Sequence, residues 1–250
     1  MSGLLSAFIA GCRGFPGASI DFFFPPQCLL CRKFLDSFRS GYFCKSCLDS
    51  FSLTSSPLCT KCGIMFKSRE GQDHLCSRCI EQKLFFDTAR ALGSYEGMLR
   101  RAVHLFKYHN KSMLAEPLGS LLSHYGAQML HPEGYDLIMP VPLHPRRLRE
   151  RGYNQSLMLS RQLGRAWKVG VSVESLRRHR WTEPQTMLSV NDRRKNIRGA
   201  FSWVGSPPAD KRILLVDDVY TSGSTANECA RVLKKHGAIT VDVLTLARTQ

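Results

Sequence analysis

The sequence predicts an α/β protein: a mostly parallel sheet with helices on both faces, preceded by a small cysteine-rich N-terminal segment. In the C-terminal two thirds, apolar strand-like runs alternate with segments of helical periodicity, which is typical of a parallel sheet covered on both faces. In the N-terminal third, eight of the ten cysteines form four Cys-x-x-Cys doublets. Such doublets are typical of zinc knuckles rather than of disulfides.

The doublets predict two structural zinc sites. Zinc prefers a tetrahedron of four ligands, and four thiolates leave no open position for a water molecule. Spacers of 12 and 13 residues separate the doublets within each half, which fits a short hairpin that closes on itself. We expect sequential pairing; the alternative is an interleaved arrangement of the first doublet with the third. His74 lies close enough to compete as a ligand, but the thiolates already fill the site. The sequential sites are Cys28, Cys31, Cys44 and Cys47, then Cys59, Cys62, Cys76 and Cys79.

The change of composition after the last doublet gives the domain boundaries. We expect an N-terminal extension over 1–22, a double zinc ribbon over 23–85 and the α/β domain over 86–250. The ribbon segment is too small to bury a core of its own, so the metal holds it together. It serves either as structure alone or also as a binding face for nucleic acid or protein.

The sequence points to a cytoplasmic protein without a membrane span. No apolar run approaches the ~18 residues that cross a bilayer. Leu4–Ala10 is apolar and Ile9–Cys12 resembles a lipoprotein cleavage site, but no Lys or Arg precedes it, so we expect an amphipathic segment rather than a signal peptide. Free thiols arranged for metal indicate a reducing compartment. Cys229, outside the doublets, is expected to be a small buried hydrophobic residue.

The α/β domain divides into alternating strands and helices. Proline at 140 ends the second strand because it cannot donate to a sheet ladder, and glycine at 237 signals the end of a helix. The predicted strands are 87–95, 135–140, 212–218 and 238–248, and the predicted helices are 96–110, 113–130, 151–167 and 222–237.

The segment "RILLVDDVYTSGSTAN" predicts a sugar-phosphate site. A small hydroxylic loop follows the strand, and the next helix begins inside it, so its unpaired N–H groups and positive dipole end favour an anion. Two neighbouring carboxylates suit the vicinal hydroxyls of a ribose 5-phosphate. The alternative is a capped helix with a solvated acidic pair. The candidate catalytic residues are Asp217 and Asp218, and the candidate phosphate-binding residues are Thr221, Ser222, Gly223, Ser224 and Thr225.

The stretch "LLVDDVYTSGST" resembles the phosphoribosyl diphosphate (PRPP) motif of type I phosphoribosyltransferases, although Tyr220 is bulkier than the aliphatic residue usual there. Together with the doublets, the chain resembles the ComF/GntX family, a double zinc ribbon joined to a phosphoribosyltransferase domain. Three more stretches match: "YEGMLRRAVHLFKYH", "PVPLHPRRLRERGYNQS" and "TEPQTMLSVNDRRKNIRGAF". The resemblance runs from about Cys28 to the C-terminus and implies a type I phosphoribosyltransferase-like fold.

The basic middle of the chain is where the resemblance places the diphosphate. The chain carries a net charge of +15, and 16 Lys and Arg against 5 Asp and Glu lie between 141 and 212. Such an excess favours polyanionic partners, and a solvated basic surface is the alternative. For Lys107, the alternative to PRPP binding is a favourable interaction of the cation with the end of its helix. We expect a second group of basic residues to form a mobile cover over the diphosphate region: Arg193, Arg194, Lys195 and Arg198. The further candidate PRPP-binding residues are Lys107, Arg146, Arg147, Arg151, Asn154 and Gln155.

The resemblance implies two functions. The first is a phosphoribosyltransferase, a pentosyl glycosyltransferase that binds PRPP with Mg²⁺ and uses an unknown acceptor. The second is a non-catalytic competence protein for DNA uptake that retains the phosphate site and binds single-stranded DNA, with Tyr153, Trp181 and Phe201 either stacking on bases or lying in the core. An amidotransferase activity is not supported, because Ser2 and not a cysteine follows Met1.

Overall fold

A computed structural model describes residues 26–35, 42–68, 70–108, 111–182 and 196–250. Within them the main sheet has four parallel strands, and a separate antiparallel pair lies outside it. In chain order the strands are β1 (Ala89–Ser94), β2 (Leu137–Pro140), β3 (Leu176–Arg178), β4 (Phe201–Trp203), β5 (Arg212–Tyr220) and β6 (Thr240–Arg248). The order in the main sheet is β1-β6-β5-β2, and β3 pairs with β4.

Helices connect these strands and precede them in the ribbon. They are α1 (Lys45–Asp49), α2 (Ser77–Glu81), α3 (Gly97–Tyr108), α4 (Ala115–Met129), α5 (Pro145–Arg151), α6 (Gln155–Trp167) and α7 (Ser224–Lys235). Short 3₁₀ turns cover Ser112–Leu114 and Pro132–Gly134. In the part of the chain that the structure describes, no helix combines the length and the apolar character that a bilayer crossing requires.

Both faces of the main sheet are buried. Successive side chains of a strand point to opposite faces. Leu214 and Val216 of β5 belong to the core that α3, α4 and α6 share, whereas Ile213 and Leu215 belong to the core under α7. The predicted fold class, a mostly parallel sheet with helices on both faces behind a small zinc ribbon, is confirmed.

The ribbon segment covers the free edge of β1. The Ser94 amide donates to the Ser52 carbonyl at 2.8 Å, and the Thr54 amide donates to the Leu92 carbonyl at 2.9 Å. Further along β1, the Ala89 amide donates to the Lys61 carbonyl at 2.7 Å. An uncovered edge strand would invite pairing with another chain. The ribbon therefore completes the sheet as well as preceding it.

Three local features differ from the sequence prediction. The helix expected over 151–167 begins at Gln155, and a separate helix, α5, precedes it and ends at Arg151. Gly152 follows as the C-cap in the left-handed region, with φ 78°. Pro145 starts α5, since the first helical position needs no N–H donor. Strand β5 continues past the aspartates to Tyr220. The β3–β4 pair was not expected, because each strand has only three residues.

The contact between the ribbon and β1 leads to a stability prediction. A Cβ added at Gly93 would lie 2.4 Å from the Ser52 carbonyl oxygen, so Gly93→Ala must push the ribbon away from β1. We expect a loss of about 1–3 kcal/mol in the free energy of unfolding, measured by urea denaturation. Gly170→Ala is the matched control, because its Cβ would meet nothing closer than Leu137 Cδ1 at 3.9 Å. Equal stability of the two variants would contradict the prediction.

Candidate sugar-phosphate site

The loop between β5 and α7 has the geometry of an anion cradle. Gly223 takes the left-handed conformation, with φ 69°, and is the residue that precedes the first turn of α7. Its carbonyl accepts the amide of Asn227 at 2.8 Å, which closes that turn. The first N–H groups of α7 carry the positive end of the helix dipole, and the Ser224 amide among them donates to Ser222 Oγ at 3.4 Å. This turn follows the end of β5 at Tyr220, and the two aspartates lie on the same strand, before that end.

The hydroxyl groups of the loop divide into two pairs. Ser222 and Ser224 are buried, and their Oγ atoms hydrogen-bond to each other at 2.9 Å. Thr221 and Thr225 are half-buried. A groove of about 490 Å³ is lined by Ser222, Gly223 and Ser224 on one side and by residues 81–85 of the ribbon connection on the other. The loop therefore borders concave space.

A buried ion pair joins the second aspartate to α3. Lys107 Nζ lies 2.9 Å from Asp218 Oδ1, with side chains that are 15% and 12% exposed. Burial alone would lower the pKa of Lys107, but the carboxylates of Asp218 and Asp217 raise it. Lys107 thus stays charged, and an Asp218 carboxylate beside it is held in a defined position at the site.

Asp217 has a different environment. Its Oδ1 accepts the Ser156 hydroxyl at 2.9 Å and the Asp218 amide at 2.9 Å. Burial, together with the neighbouring Asp218 carboxylate, raises the pKa of Asp217 to about 7. Two adjacent carboxylates resist simultaneous ionisation. Near neutral pH the charge on Asp217 therefore depends on pH.

The first turn of α6 is attached to the last turn of α3. The Tyr153 hydroxyl donates to the Phe106 carbonyl at 2.5 Å, and the Gln155 amide group donates to the Lys107 carbonyl at 3.5 Å. Asn154 caps α6 by accepting the Leu157 amide at 3.3 Å, and it donates to the Val141 carbonyl at 3.2 Å. Asn154 and Gln155 therefore position the elements around the acidic pair.

The arginines of α5 form a cation cluster beside the site. Arg151 Nη1 donates to Gln155 Oε1 at 3.2 Å. Arg146 and Arg147 lie over the Trp181 ring, at 4.7 and 5.5 Å from its centroid. Burial lowers the pKa of Arg147, and the neighbouring Arg151 cation lowers it further. Like charges held this close favour a polyanion between them.

Two of the three aromatic candidates for stacking are committed to other contacts. Phe201 is buried in the core, and Tyr153 packs on Phe106 with ring centroids 6.0 Å apart. Trp181 is half-buried beneath the two arginines of α5. Arg198 is exposed and lines the groove beside the loop, whereas Arg193, Arg194 and Lys195 lie outside the described residues.

The eight cysteines form two clusters with sequential pairing. In each cluster the four Sγ atoms lie within 4.8 Å of one another. Cys31 and Cys44 have their Sγ atoms 3.5 Å apart, and a backbone amide donates to Cys28 Sγ at 3.3 Å, as in knuckles that hold thiolates. These distances fit a tetrahedral zinc with Zn–S bonds of about 2.3 Å. His74 instead stacks on Phe66, with ring centroids 4.0 Å apart.

Relatives agree with this architecture. Residues 19–80 match the family model described as a double zinc ribbon domain. Competence protein F of Haemophilus influenzae is 33% identical over 234 residues, which are 90% of this chain and 98% of that protein. DNA utilization protein YhgH of Escherichia coli O157:H7 is 33% identical over 232 residues, with the same shares covered. Fold and cysteine clusters define a double zinc ribbon protein with a parallel α/β domain. The chain belongs to the ComF/GntX family.

Solved structures give a weaker likeness. The glutamine PRPP amidotransferase from B. subtilis aligns at a TM-score of 0.37 and 20% identity, covering 54% of this chain and 26% of that chain. A likeness at this level bears on neither ligand nor activity. The fold class rests instead on the strand order and on the family.

The raised pKa of Asp217 predicts how stability depends on pH. The folded state holds the Asp217 proton up to about pH 7, whereas an unfolded aspartate releases it near ~4. The folded state therefore binds more protons in this window, and the free energy of unfolding falls as pH rises from about 4 to about 7.

The test is urea denaturation across that range. Asp217→Asn should flatten the decline by at least about 1 kcal/mol relative to the wild type. Asp49→Asn removes an exposed carboxylate and should keep the wild-type slope. A decline that Asp217→Asn leaves unchanged would show that Asp217 is not the group responsible.

Proposed function

We propose that this chain binds PRPP or a ribose 5-phosphate, together with Mg²⁺, and transfers the phosphoribosyl group to an acceptor. The observation that carries the proposal is the acidic pair on β5 directly before the Gly223 turn and the N-terminus of α7. Carboxylates accept hydrogen bonds from sugar hydroxyls, and helix N-termini bind phosphate. Four residues of the chain separate Asp218 from Gly223.

Each part of the site has a role in this proposal. The backbone N–H groups of the loop and the hydroxyls of Thr221 and Thr225 would hold the 5-phosphate. Asp217 and Asp218 would accept the 2- and 3-hydroxyls, while Lys107, 2.9 Å from Asp218 Oδ1, holds that carboxyl group in place. In phosphoribosyl transfer the charge develops on an oxocarbenium-like sugar as diphosphate departs, so positioned charges rather than a covalent nucleophile carry the chemistry.

The arginines of α5 are proposed to bind the departing diphosphate, together with the first turn of α6. Arg151 is close enough to Arg147 for the repulsion between the two cations to lower the pKa of Arg147. A diphosphate bound between them would relieve that repulsion. Mg²⁺ would come with the diphosphate and bridge its oxygens. Because Mg²⁺ would be bound mainly by diphosphate oxygens, the protein needs few carboxylates of its own to bind the metal ion.

The biological setting is proposed from the relatives. Competence protein F and DNA utilization protein YhgH carry names that refer to DNA use. We infer that this chain takes part in DNA uptake or in using incoming DNA, in the cytoplasm, with competence proteins and single-stranded DNA as partners.

Binding of Mg²⁺ and PRPP tests the sugar-phosphate site. Isothermal titration of the wild type should show a saturable site, and Asp218→Asn should weaken it roughly 10- to 100-fold, because a charge-assisted hydrogen bond is lost and Lys107 loses its partner. Asp49→Asn is the control for removing one carboxylate. Absence of binding to the wild type would remove the proposal, and equal affinity of the Asp218→Asn variant would place the ligand elsewhere.

A second candidate function is binding of single-stranded DNA without turnover. The stacked array of Arg146 and Arg147 on Trp181 favours it, because cations and a half-buried ring lie together at the edge of the site. Phosphate contacts release counterions, so affinity falls steeply with salt. In this case the retained phosphate site would hold a DNA phosphate or a bound nucleotide.

Salt dependence distinguishes this function from nonspecific charge. For an oligonucleotide bound by the wild type, replacing two phosphate-contacting cations in Arg146→Gln/Arg147→Gln should reduce the log–log salt slope by roughly 1 to 1.5. The matched control is Arg100→Gln/Arg101→Gln, two exposed arginines on α3. The same slope for both double variants would exclude the α5 arginines as a DNA-binding surface.

A further inference from the structure

The second cysteine cluster contacts the loop between β5 and α7 directly. This loop, residues 221–225, is called the phosphate loop below. Arg78 lies inside the last knuckle of the cluster, between Cys76 and Cys79, and its guanidinium donates to the carbonyl of Ser222. The same side chain donates from Nε to Gln82 Oε1 at 3.0 Å, which fixes its direction. A residue flanked by two metal ligands thereby holds the backbone of the loop.

A buried arginine at the end of β6 makes a second connection. Arg248 is 5% exposed and donates to the carbonyl of Cys62, while its Nη2 lies 3.5 Å from Cys62 Sγ. Among the described residues, Arg248 takes part in none of the ion pairs with a carboxylate. Four thiolates around one zinc leave a net negative charge, so the loaded site supplies the counter-charge that a buried guanidinium needs.

Tyr220 carries this connection to the glycine of the loop. The Arg248 guanidinium lies 4.6 Å from the Tyr220 ring centroid. A Cβ added at Gly223 would be 2.1 Å from the Tyr220 hydroxyl oxygen, so the ring fills the space beneath the turn. This gives a physical reason for the aromatic residue at this position of the PRPP motif: its face accepts the arginine, and its hydroxyl end packs under Gly223.

The ribbon connection also reaches the first turn of α7. The Phe85 amide donates to Asn227 Oδ1 at 2.6 Å. The first cysteine cluster is placed differently, because Cys28 and Cys47 pack in the core on the other face of the sheet, with α3, α4 and α6. The two zinc sites therefore have unequal relations to the loop.

We propose that the second zinc site positions the phosphate loop, so that zinc at this site sets the affinity of the loop for a sugar phosphate. Arg78 and Arg248 are its positioning residues. Zinc orders the knuckles, the knuckles hold Ser222 and Tyr220, and the ordered loop binds phosphate without first losing conformational freedom. The affinity part of this proposal rests on the proposed function; the ordering of the loop does not.

Hydrogen exchange of the ligand-free protein measures the loop directly. Cys76→Ser at the second site and Cys31→Ser at the first site form a matched pair, since both cysteines are half-buried. We expect amide exchange over 221–227 to rise about tenfold in Cys76→Ser and to stay at the wild-type rate in Cys31→Ser. Equal loop exchange in the two variants overturns the proposal.

A second pair keeps all eight ligands and decides the question if Cys76→Ser does not fold. Arg78→Met removes the bond to Ser222, and Lys45→Met removes an exposed cation from the corresponding knuckle of the first site. With zinc content unchanged in both, Arg78→Met should raise loop exchange and weaken ribose 5-phosphate binding about tenfold, and Lys45→Met should do neither. Unchanged exchange in Arg78→Met overturns the proposal. Wild-type protein that binds no ribose 5-phosphate refutes the proposed function, while the exchange comparison still decides the coupling.

Discussion

The buried ion pair between Lys107 and Asp218 is the interaction on which the site depends. Removing either partner would leave a charge uncompensated away from water, which is far more costly than the loss of an exposed pair. The pair also fixes geometry, since it joins the last turn of α3 to β5. Tyr153, just before α6, and Gln155, its first residue, donate to carbonyls of that same turn. The charge pair and these hydrogen bonds together hold a strand and two helices around the acidic residues.

The zinc ribbon is part of the α/β domain's architecture rather than an appendage. It pairs with the free edge of β1, and its two clusters lie against opposite faces of the sheet. Because the second cluster is on the face of α7, it lies where the loop begins. A segment that cannot bury its own core thus gains stability from the sheet, and the sheet gains a covered edge.

The sequence was sufficient to predict the features that depend on short-range patterns of residues. Alternating strand and helix segments predicted the sheet, and doublet spacing predicted sequential pairing of the cysteines. Helix α5 was not predicted, although the proline at its first position suits the start of a helix. Partners distant in sequence were beyond local reasoning: neither the contact of Lys107 with Asp218 nor that of Arg248 with Cys62 leaves a local signal. Tyr220 was visible in the sequence as a departure from the PRPP motif, and its contacts with Arg248 and Gly223 give the reason.

A crystal structure of the chain with ribose 5-phosphate would show whether the acidic pair and the start of α7 bind one sugar phosphate between them. We expect the phosphate within hydrogen-bonding distance of the backbone N–H groups of 223–225, and the sugar hydroxyls within hydrogen-bonding distance of Asp217 and Asp218. A sugar phosphate bound away from these carboxylates, or a site left empty at saturating ligand, would contradict it.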